Sequence, residues 1–213
     1  MSSVLRWLFF ALIVRPVLLL GLGVHVRRRE LLPMQGPAVI VANHNSNLDA
    51  LLLMALYPLA KLKFLRPAAA VDYFLTDPVR RFVAQRIIRI LPVERGGARA
   101  GRDPLTGCYD ALDQGEIVII FPEGSRGEPE MLQEFKKGIA HLARARPGTP
   151  FTPVFMHGLG KAMPKGSLLL VPFNVDVYVG QAYQWEGTIQ GFMARTEASM
   201  AALAAEGDFP SWE

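Results

Sequence analysis

Residues 38–57 read AVIVANHNSNLDALLLMALY, and this stretch decides the fold class. Its first five residues are apolar and suit a buried strand. Five polar residues follow, and the apolar residues after them have the length and composition of a helix. We therefore predict a strand, a loop and a helix, with Ser46 or Asn47 as the helix N-cap.

The rest of the chain continues this alternation. Short apolar runs typical of strands lie at residues 62–65, 90–93, 117–121, 151–156 and 174–179. Segments with helical length or spacing lie at residues 79–89, 106–112, 138–146 and 188–206. Strands that alternate with helices form a mostly parallel central sheet covered by helices, so the predicted fold class is α/β.

The composition excludes several classes of protein. The 213 residues are enough for one domain with its own hydrophobic core. Hydrophobic residues make up 51%, charged residues only 20%, and the mean hydropathy is +0.22, which excludes intrinsic disorder. Cys108 is the single cysteine, so an internal disulfide and a multi-cysteine zinc site are excluded. The chain therefore fits a reducing compartment.

Basic residues are concentrated in one part of the chain, which has a net charge of +4 and a pI of about 9.4. Ten lie within residues 61–102: Lys61, Lys63, Arg66, Arg80, Arg81, Arg86, Arg89, Arg95, Arg99 and Arg102. Such a run suits nucleic acid, an anionic membrane or a small anionic substrate, although any one of these arginines alone is more typical of a solvated helix face. Because no aromatic stacking platform is interleaved with them, we expect no nucleic-acid partner.

The N-terminal residues are predicted to form a membrane-associated element. Residues 4–24 are long and apolar enough to cross a bilayer, for which about 20 residues suffice. Arg15 and Pro16 stand in the middle, where a charge is costly and proline interrupts helical hydrogen bonds. We expect a helix-break-helix element in one leaflet, with its arginines at headgroup level. A transmembrane anchor and a signal peptide are the alternatives. The predicted boundaries are 1–30 for this element and 31–213 for the main domain.

The polar loop after the first predicted strand carries candidate catalytic residues. His44 lies in the loop and Asp49 in the first turn of the predicted helix. From there the carboxylate can contact one imidazole nitrogen and leave the other free as a base. No serine or cysteine nucleophile is needed if the substrate brings its own hydroxyl. Asp49 is equally typical of a favourable charge at a helix start.

A second polar loop, FPEGSR at residues 121–126, follows another apolar strand. Ligands of a parallel sheet bind outside the carboxyl ends of its strands, so both loops should meet there. Gly124 lets the backbone approach a ligand, and Arg126 suits bidentate contact with phosphate. Glu123 can hold an arginine or a substrate hydroxyl. The alternative is an ordinary turn, in which Pro-x-Gly is common.

The two motifs together resemble those of the glycerolipid acyltransferase family, of the 1-acyl-glycerol-3-phosphate acyltransferase type. Further blocks of the family are matched in order over residues 35–185. These are VER at 93–95, FKKG at 135–138 and TPV at 152–154. We expect residues 31–213 to form the acyltransferase domain.

The resemblance implies direct transfer of a fatty acyl group from acyl-CoA or acyl-carrier protein to the 2-hydroxyl of lysophosphatidic acid. It implies that His44 removes the hydroxyl proton and that Asp49 orients His44. The residues implied to bind the acceptor phosphate are Arg95, Glu123, Gly124 and Arg126, supported by Ser125, Lys136 and Pro153. We expect no cofactor and no metal, since no second ligand stands at metal spacing with His44. The implied location is the cytoplasmic face of the inner membrane.

The acceptor stays open on sequence alone. Gly127 stands where many members of the family have a serine. The longer glycine-rich block of relatives that acylate glycerol-3-phosphate itself is absent, which argues against the first acylation step. Relatives that act on lyso-ornithine lipid or other lysolipids share the same blocks. A non-catalytic lipid-binding protein is the alternative from another class.

Overall fold

The computed structural model of the chain describes residues 2–70, 77, 81–93, 103–125, 131–163, 170–207 and 209. Within that part of the chain the strands are β1 Gly23–Arg27, β2 Ala38–Ala42, β3 Leu65–Ala70, β4 Leu91–Val93, β5 Ile117–Ile120, β6 Phe151–His157 and β7 Asn174–Val179. The α-helices are α1 Ser2–Phe9, α2 Asp49–Ala55, α3 Thr106–Asp113, α4 Gly138–Ala145, α5 Leu159–Ala162 and α6 Ile189–Ala205. Wider π-helical turns form Phe10–Val14, Pro16–Leu20 and Val83–Ile88, and 3-10 turns form Arg29–Leu31 and Leu59–Phe64.

The strands form one sheet in the order β1-β7-β6-β2-β5-β3-β4. Five neighbouring strands, from β6 to β4, are parallel to one another. Strand β7 pairs with β6 in the antiparallel sense, and β1 pairs with β7 in the parallel sense. The mostly parallel sheet predicted from the sequence is therefore confirmed. At the centre, β2 pairs with β5 on one side and β6 on the other, so the ends of these strands lie side by side.

Each face of the sheet carries its own hydrophobic core, because side chains alternate between the two faces of a strand. On one face Ile40, Ile119 and Met156 pack with α2 and the N-terminal helical segment. On the other face Val41 and Phe155 belong to the core formed with α3, α4 and α6. The β2 and β5 strands are completely buried or nearly so, as expected for a strand with helices on both sides.

The N-terminal segment is helical without interruption over residues 2–20, so the predicted break at Arg15-Pro16 is wrong. Wide i→i+5 turns lie on either side of Arg15, which has ordinary helical angles of φ −66° and ψ −49°, and Pro16 is the first residue of the second of these turns. An α-helix has only 3.6 residues per turn, so side chains four positions apart drift around its axis. The wider turns compensate for this drift and keep every fourth side chain on one side of the segment. The buried side chains of this repeat are Arg6, Phe10, Val14, Leu18 and Leu22.

Arg6 and Arg15 of this segment contact the main domain, and the expectation that its arginines lie at headgroup level stays a prediction. The Arg6 guanidinium donates to the carbonyl oxygen of Ile88 at 2.7 Å. Arg15 donates to the carbonyl oxygen of Tyr57, just past the end of α2. The last carbonyls of a helix have no hydrogen-bond partner inside the helix and carry partial negative charge. A guanidinium beside them therefore supplies a hydrogen bond and a favourable electrostatic interaction. The division of the chain into a membrane-associated element at residues 1–30 and a main domain at residues 31–213 stays a prediction.

Three local predictions differ from the structure. The strand predicted at residues 62–65 begins only at the last of these residues: a 3-10 turn runs to Phe64, β3 starts at Leu65, and the three-residue period of the turn brings Leu62 and Leu65 onto the core together. Strand β1 was not predicted, because its short alternation of valine with His25 and Arg27 follows directly on the apolar segment. The described part of the helix predicted at residues 79–89 is largely π-helical.

Candidate active site

The loop predicted to carry the base lies where the sequence places it. His44 follows the end of β2, and Asp49 is the first residue of α2. The predicted N-cap is wrong, since Leu48 occupies that position without a side-chain cap. The Ser46 hydroxyl instead accepts the N–H of Leu48 at 3.3 Å. The Asp49 carboxylate organises this loop, as its contacts show.

One oxygen of Asp49 accepts three hydrogen bonds. Its Oδ2 lies 2.8 Å from His44 Nδ1 and accepts the backbone N–H groups of Asn45 at 2.7 Å and Ser46 at 2.8 Å. The side chain is 0% exposed. Burial raises the pKa of Asp49, and these hydrogen bonds, that from His44 first, oppose the rise. Because a carboxylate can only accept, a neutral imidazole in this contact donates through Nδ1 and leaves Nε2 without a proton, which is the arrangement that a general base needs.

The second polar loop reaches the same place. The His44 ring stacks on Phe121, with centroids 4.4 Å apart and an angle of 24° between the planes. The backbone N–H of His44 donates to Glu123 Oε1 at 3.1 Å. The side chain of His44 is 23% exposed, so a substrate can approach it from solvent. The prediction that both loops meet at one edge of the sheet is confirmed by these contacts.

Glu123 is a buried carboxyl with one oxygen unused. It is 3% exposed, and Oε2 has no hydrogen-bond partner among the residues that the structure describes. Burial raises the pKa of Glu123 to about 7, while the His44 N–H lowers it and the charge of Asp49 raises it further. The position therefore holds a group that can gain or lose a proton near neutral pH.

Gly124 turns the chain in a conformation that favours glycine, with φ +71°. A Cβ at this position would lie 3.0 Å from Cε of Lys136, so the lysine methylenes cover the turn. The backbone N–H of Lys136 donates to the Pro122 carbonyl at 2.8 Å. Lys136 is thus attached to the second loop, and Ser125 is exposed beside it.

The other predicted site residues are placed differently. Pro153 lies inside β6, paired with Val41 in the sheet, and is buried there, so its support is through packing. Arg95 and Arg126 lie outside the described residues. Cys108 is buried in α3, where burial raises the pKa of its thiol to about 12, so its thiolate is not formed at neutral pH.

Two arginines of the basic run have structural roles. Arg66 donates to Glu116 Oε2 at 2.8 Å, and Arg89 lies 3.3 Å from Glu116 Oε1. Glu116 precedes β5, so these ion pairs are at the opposite end of that strand from Glu123. The two ion pairs therefore stabilise the sheet where β5 begins, and neither arginine faces a ligand at the candidate site.

Asn43 is a site residue that the sequence reasoning missed. Its side-chain amide donates to the carbonyl oxygen of Met156 at 2.8 Å and accepts the N–H of Met156 at 2.7 Å. The last backbone pair between β2 and β6 is Ala42 with Val154, so the amide extends the ladder by one step. An asparagine directly after a predicted strand and directly before a candidate base was the available signal.

The chain is similar to known acyltransferases. A family model described as Acyltransferase matches residues 23–157. A chloroplastic 1-acyl-sn-glycerol-3-phosphate acyltransferase of Arabidopsis thaliana is 34% identical over 131 residues, covering 62% of this chain and 35% of that protein. A 1-acyl-sn-glycerol-3-phosphate acyltransferase of Pseudomonas aeruginosa is 26% identical over 206 residues, covering 94% and 76%. This chain spans about a third of the length of the plant relatives it matches.

A solved structure has the same fold. The crystal structure of the 1-acyl-sn-glycerophosphate acyltransferase PlsC from Thermotoga maritima matches 99% of this chain and 81% of that chain, with a TM-score of 0.75 and 21% identity. The similarity extends over the sheet and the N-terminal helical segment together. The α/β fold predicted from the sequence is thus also found in a solved structure.

Proposed function

Because this chain belongs to the acyltransferase family, we propose that it transfers a fatty acyl group from a thioester donor to the 2-hydroxyl of lysophosphatidic acid, forming phosphatidic acid for phospholipid synthesis. The donor is acyl-CoA or acyl-carrier protein. The observation that carries the proposal is the 2.8 Å contact between His44 Nδ1 and a fully buried Asp49 carboxylate. This pair provides an oriented base, and a hydroxyl acceptor needs no more to become a nucleophile.

The reaction proceeds by direct transfer. The acceptor hydroxyl gives its proton to His44 Nε2 while its oxygen bonds to the carbonyl carbon of the thioester. The tetrahedral intermediate then collapses, the carbon–sulfur bond breaks, and the leaving thiol takes the proton from the imidazolium. Asp49 stabilises the positive charge on His44 between these two proton transfers. The protein itself is never acylated.

The acceptor phosphate is bound by the second loop. Gly124 brings the backbone close, and Glu123 lies behind His44 in contact with its N–H. Arg95 and Arg126 supply bidentate cations in this proposal, while Ser125 and Lys136 border the turn. Lysophosphatidic acid suits this set better than a phosphate-free lysolipid, because a cationic loop gains most from a dianionic ligand.

The N-terminal helical segment attaches the enzyme to the membrane. Residues Ser3–Leu20 are long and apolar enough to cross a membrane, by length and composition only. Since one side of the helix packs on the domain, the segment lies in one leaflet in this proposal, on the cytoplasmic face of the inner membrane. Its outward apolar side chains are Val4, Leu5, Trp7, Leu8, Leu12, Ile13, Val17 and Leu20.

The test is product formation by the detergent-purified protein. Lysophosphatidic acid and phosphate-free lysolipids are offered in parallel, each with acyl-CoA and with acyl-carrier protein thioesters. We expect phosphatidic acid to be the main product. Efficient acylation of a phosphate-free lysolipid alone would move the acceptor assignment to that class, and lipid binding without any acyl transfer would contradict the proposed enzyme.

A further inference from the structure

Glu123 is poorly placed to carry a negative charge. Its carboxyl is 3% exposed and receives one hydrogen bond, from the backbone N–H of His44 at 3.1 Å. The second oxygen, Oε2, is buried without a partner among the described residues. A buried carboxylate needs hydrogen bonds or a paired charge to stay ionised. By comparison, the nearby Asp49 carboxylate accepts three.

Among the described groups around Glu123, Asp49 favours the neutral form of the carboxyl, while the His44 N–H favours its ionised form. Asp49, from α2, adds a second carboxylate to the same buried region and raises the pKa of Glu123. His44 contributes its backbone N–H and holds its ring against Asp49. Lys136 covers the neighbouring Gly124 with its methylene groups. Burial and Asp49 together raise the pKa of Glu123 to about 7.

The chemistry of the acceptor requires a donor at this place. Phosphate oxygens accept hydrogen bonds, and an ionised carboxylate also only accepts. An ionised Glu123 in contact with a phosphate would therefore repel it. A protonated carboxyl has one O–H donor, and Oε2 is the oxygen that is free to carry it.

We propose that Glu123 acts as a neutral carboxylic acid, accepting the N–H of His44 through Oε1 and donating the Oε2 hydrogen to an oxygen of the acceptor phosphate. This inference rests on the function proposed above. It makes Glu123 a specificity-determining residue for phosphate-bearing acceptors. It also ties acceptor binding to the backbone position of His44, because one carboxyl contacts both.

The test separates the neutral from the ionised form by isosteric substitution. Glu123→Gln keeps an acceptor for the His44 N–H and an N–H donor in place of the carboxyl hydrogen, whereas Glu123→Ala removes both. The control is Glu197→Gln, an exposed glutamate on α6. KM and kcat for lysophosphatidic acid are measured for all four proteins between about pH 5.5 and 9, a range that brackets the pKa of about 7.

We expect Glu123→Ala to raise KM by about 100-fold and Glu123→Gln by less than about tenfold, the range spanned by hydrogen bonds to charged groups. The KM of the wild type should rise above about pH 7, and that of Glu123→Gln should not follow it. If Glu123→Gln raises KM as much as Glu123→Ala and the wild-type KM does not rise there, Glu123 works ionised, for example by holding a guanidinium, and the inference is overturned.

A second readout does not depend on activity. The carboxylic acid C=O absorption of Glu123 is measured as the infrared difference between the wild type and Glu123→Gln, without substrate. We expect this band at pH 6 and its loss as the pH rises through about 7. Its absence at pH 6 overturns the inference even if phosphatidic acid is formed. Its presence in a protein that makes no phosphatidic acid locates the failure in the proposed function instead.

Discussion

The backbone N–H of His44 donates to Oε1 of Glu123 at 3.1 Å, across 79 positions of the chain. One residue belongs to the loop after β2 and the other to the loop after β5, and the two strands are neighbours in the sheet. This bond connects the base to the loop that binds the acceptor phosphate in our proposal. A substitution in either loop should therefore change both acceptor binding and the rate of acyl transfer.

Asn43 should be needed to position the base. Asn43→Ala removes both of its hydrogen bonds to Met156 and leaves the buried N–H of Met156 without this partner, while the Met156 carbonyl keeps the hydrogen bond from the Asn45 side-chain amide at 3.3 Å. We expect a loss of about 1–3 kcal/mol in the free energy of unfolding and a fall in kcat, because His44 is the next residue. Denaturant unfolding and initial rates measure the two effects. Gln184→Ala, which removes an exposed amide bond to the Gly148 carbonyl, is the control and should change neither. Wild-type kcat and stability in Asn43→Ala would refute the role.

Glu123 should make stability fall as pH rises. Its pKa is about 7 in the folded protein and 4.5 as an ordinary carboxyl. Between these values the folded state holds a proton that the unfolded state has lost, so the free energy of unfolding decreases with pH across this window and then levels off. At full effect the decrease is about 3 kcal/mol.

Urea unfolding of the wild type and Glu123→Gln at several pH values measures this contribution. The burial of Asp49 acts in the same direction, but Asp49 is present in both proteins, so the difference isolates Glu123. We expect the free energy of unfolding to fall less in Glu123→Gln than in the wild type as the pH rises from about 4.5 to above 7. Parallel pH profiles for the two proteins would rule out the raised pKa.

The outward side of the N-terminal helical segment should bind membranes. Leu12 is 68% exposed and Leu20 is 84% exposed, so replacing both by serine removes apolar surface without opening a cavity. Since burial of one leucine contributes about 1.5–3 kcal/mol, we expect binding to anionic vesicles to weaken by at least about tenfold, with unchanged unfolding. Vesicle flotation measures the binding. Ala202→Ser, on the exposed side of α6, should bind like the wild type. Unchanged flotation of the leucine variant would disprove this attachment.

Removal of metal ions should leave the rate of acyl transfer unchanged. His44 Nδ1 is occupied by Asp49, and the described part of the chain contains no group of three or more histidine, cysteine, aspartate or glutamate side chains that could hold a metal. Initial rates before and after dialysis against EDTA measure this. A complete loss of activity that a single metal restores would contradict the proposed mechanism.

The sequence predicts the centre of the fold better than its margins. In residues 38–49 the strand, the loop and the contact between His44 and Asp49 all follow from local patterns, because a completely buried strand has a continuous apolar run. Strand β1 and the uninterrupted helix through Pro16 do not follow. Their structure depends on pairing with β7 and on contacts with the main domain, which no local pattern encodes.

The candidate site shows the same limit. The sequence predicts that His44, Asp49 and Glu123 come together, since parallel strands end at the same edge. It does not predict that the Glu123 carboxyl lies buried behind the His44 backbone, nor that the Asn43 amide completes the ladder to β6. Both depend on tertiary burial, which decides how a polar side chain is used.

The most direct test of the central claim is kcat for acyl transfer to lysophosphatidic acid in the wild type, His44→Ala and Asp49→Asn. His141→Ala, which removes an exposed histidine of α4, is the control for the loss of an imidazole. We expect His44→Ala to lower kcat by about 10³-fold or more and Asp49→Asn by about 10²–10⁴-fold, because a positioned base and its correct tautomer are both lost from the transition state. A folded His44→Ala protein with the wild-type kcat would show that His44 is not the base.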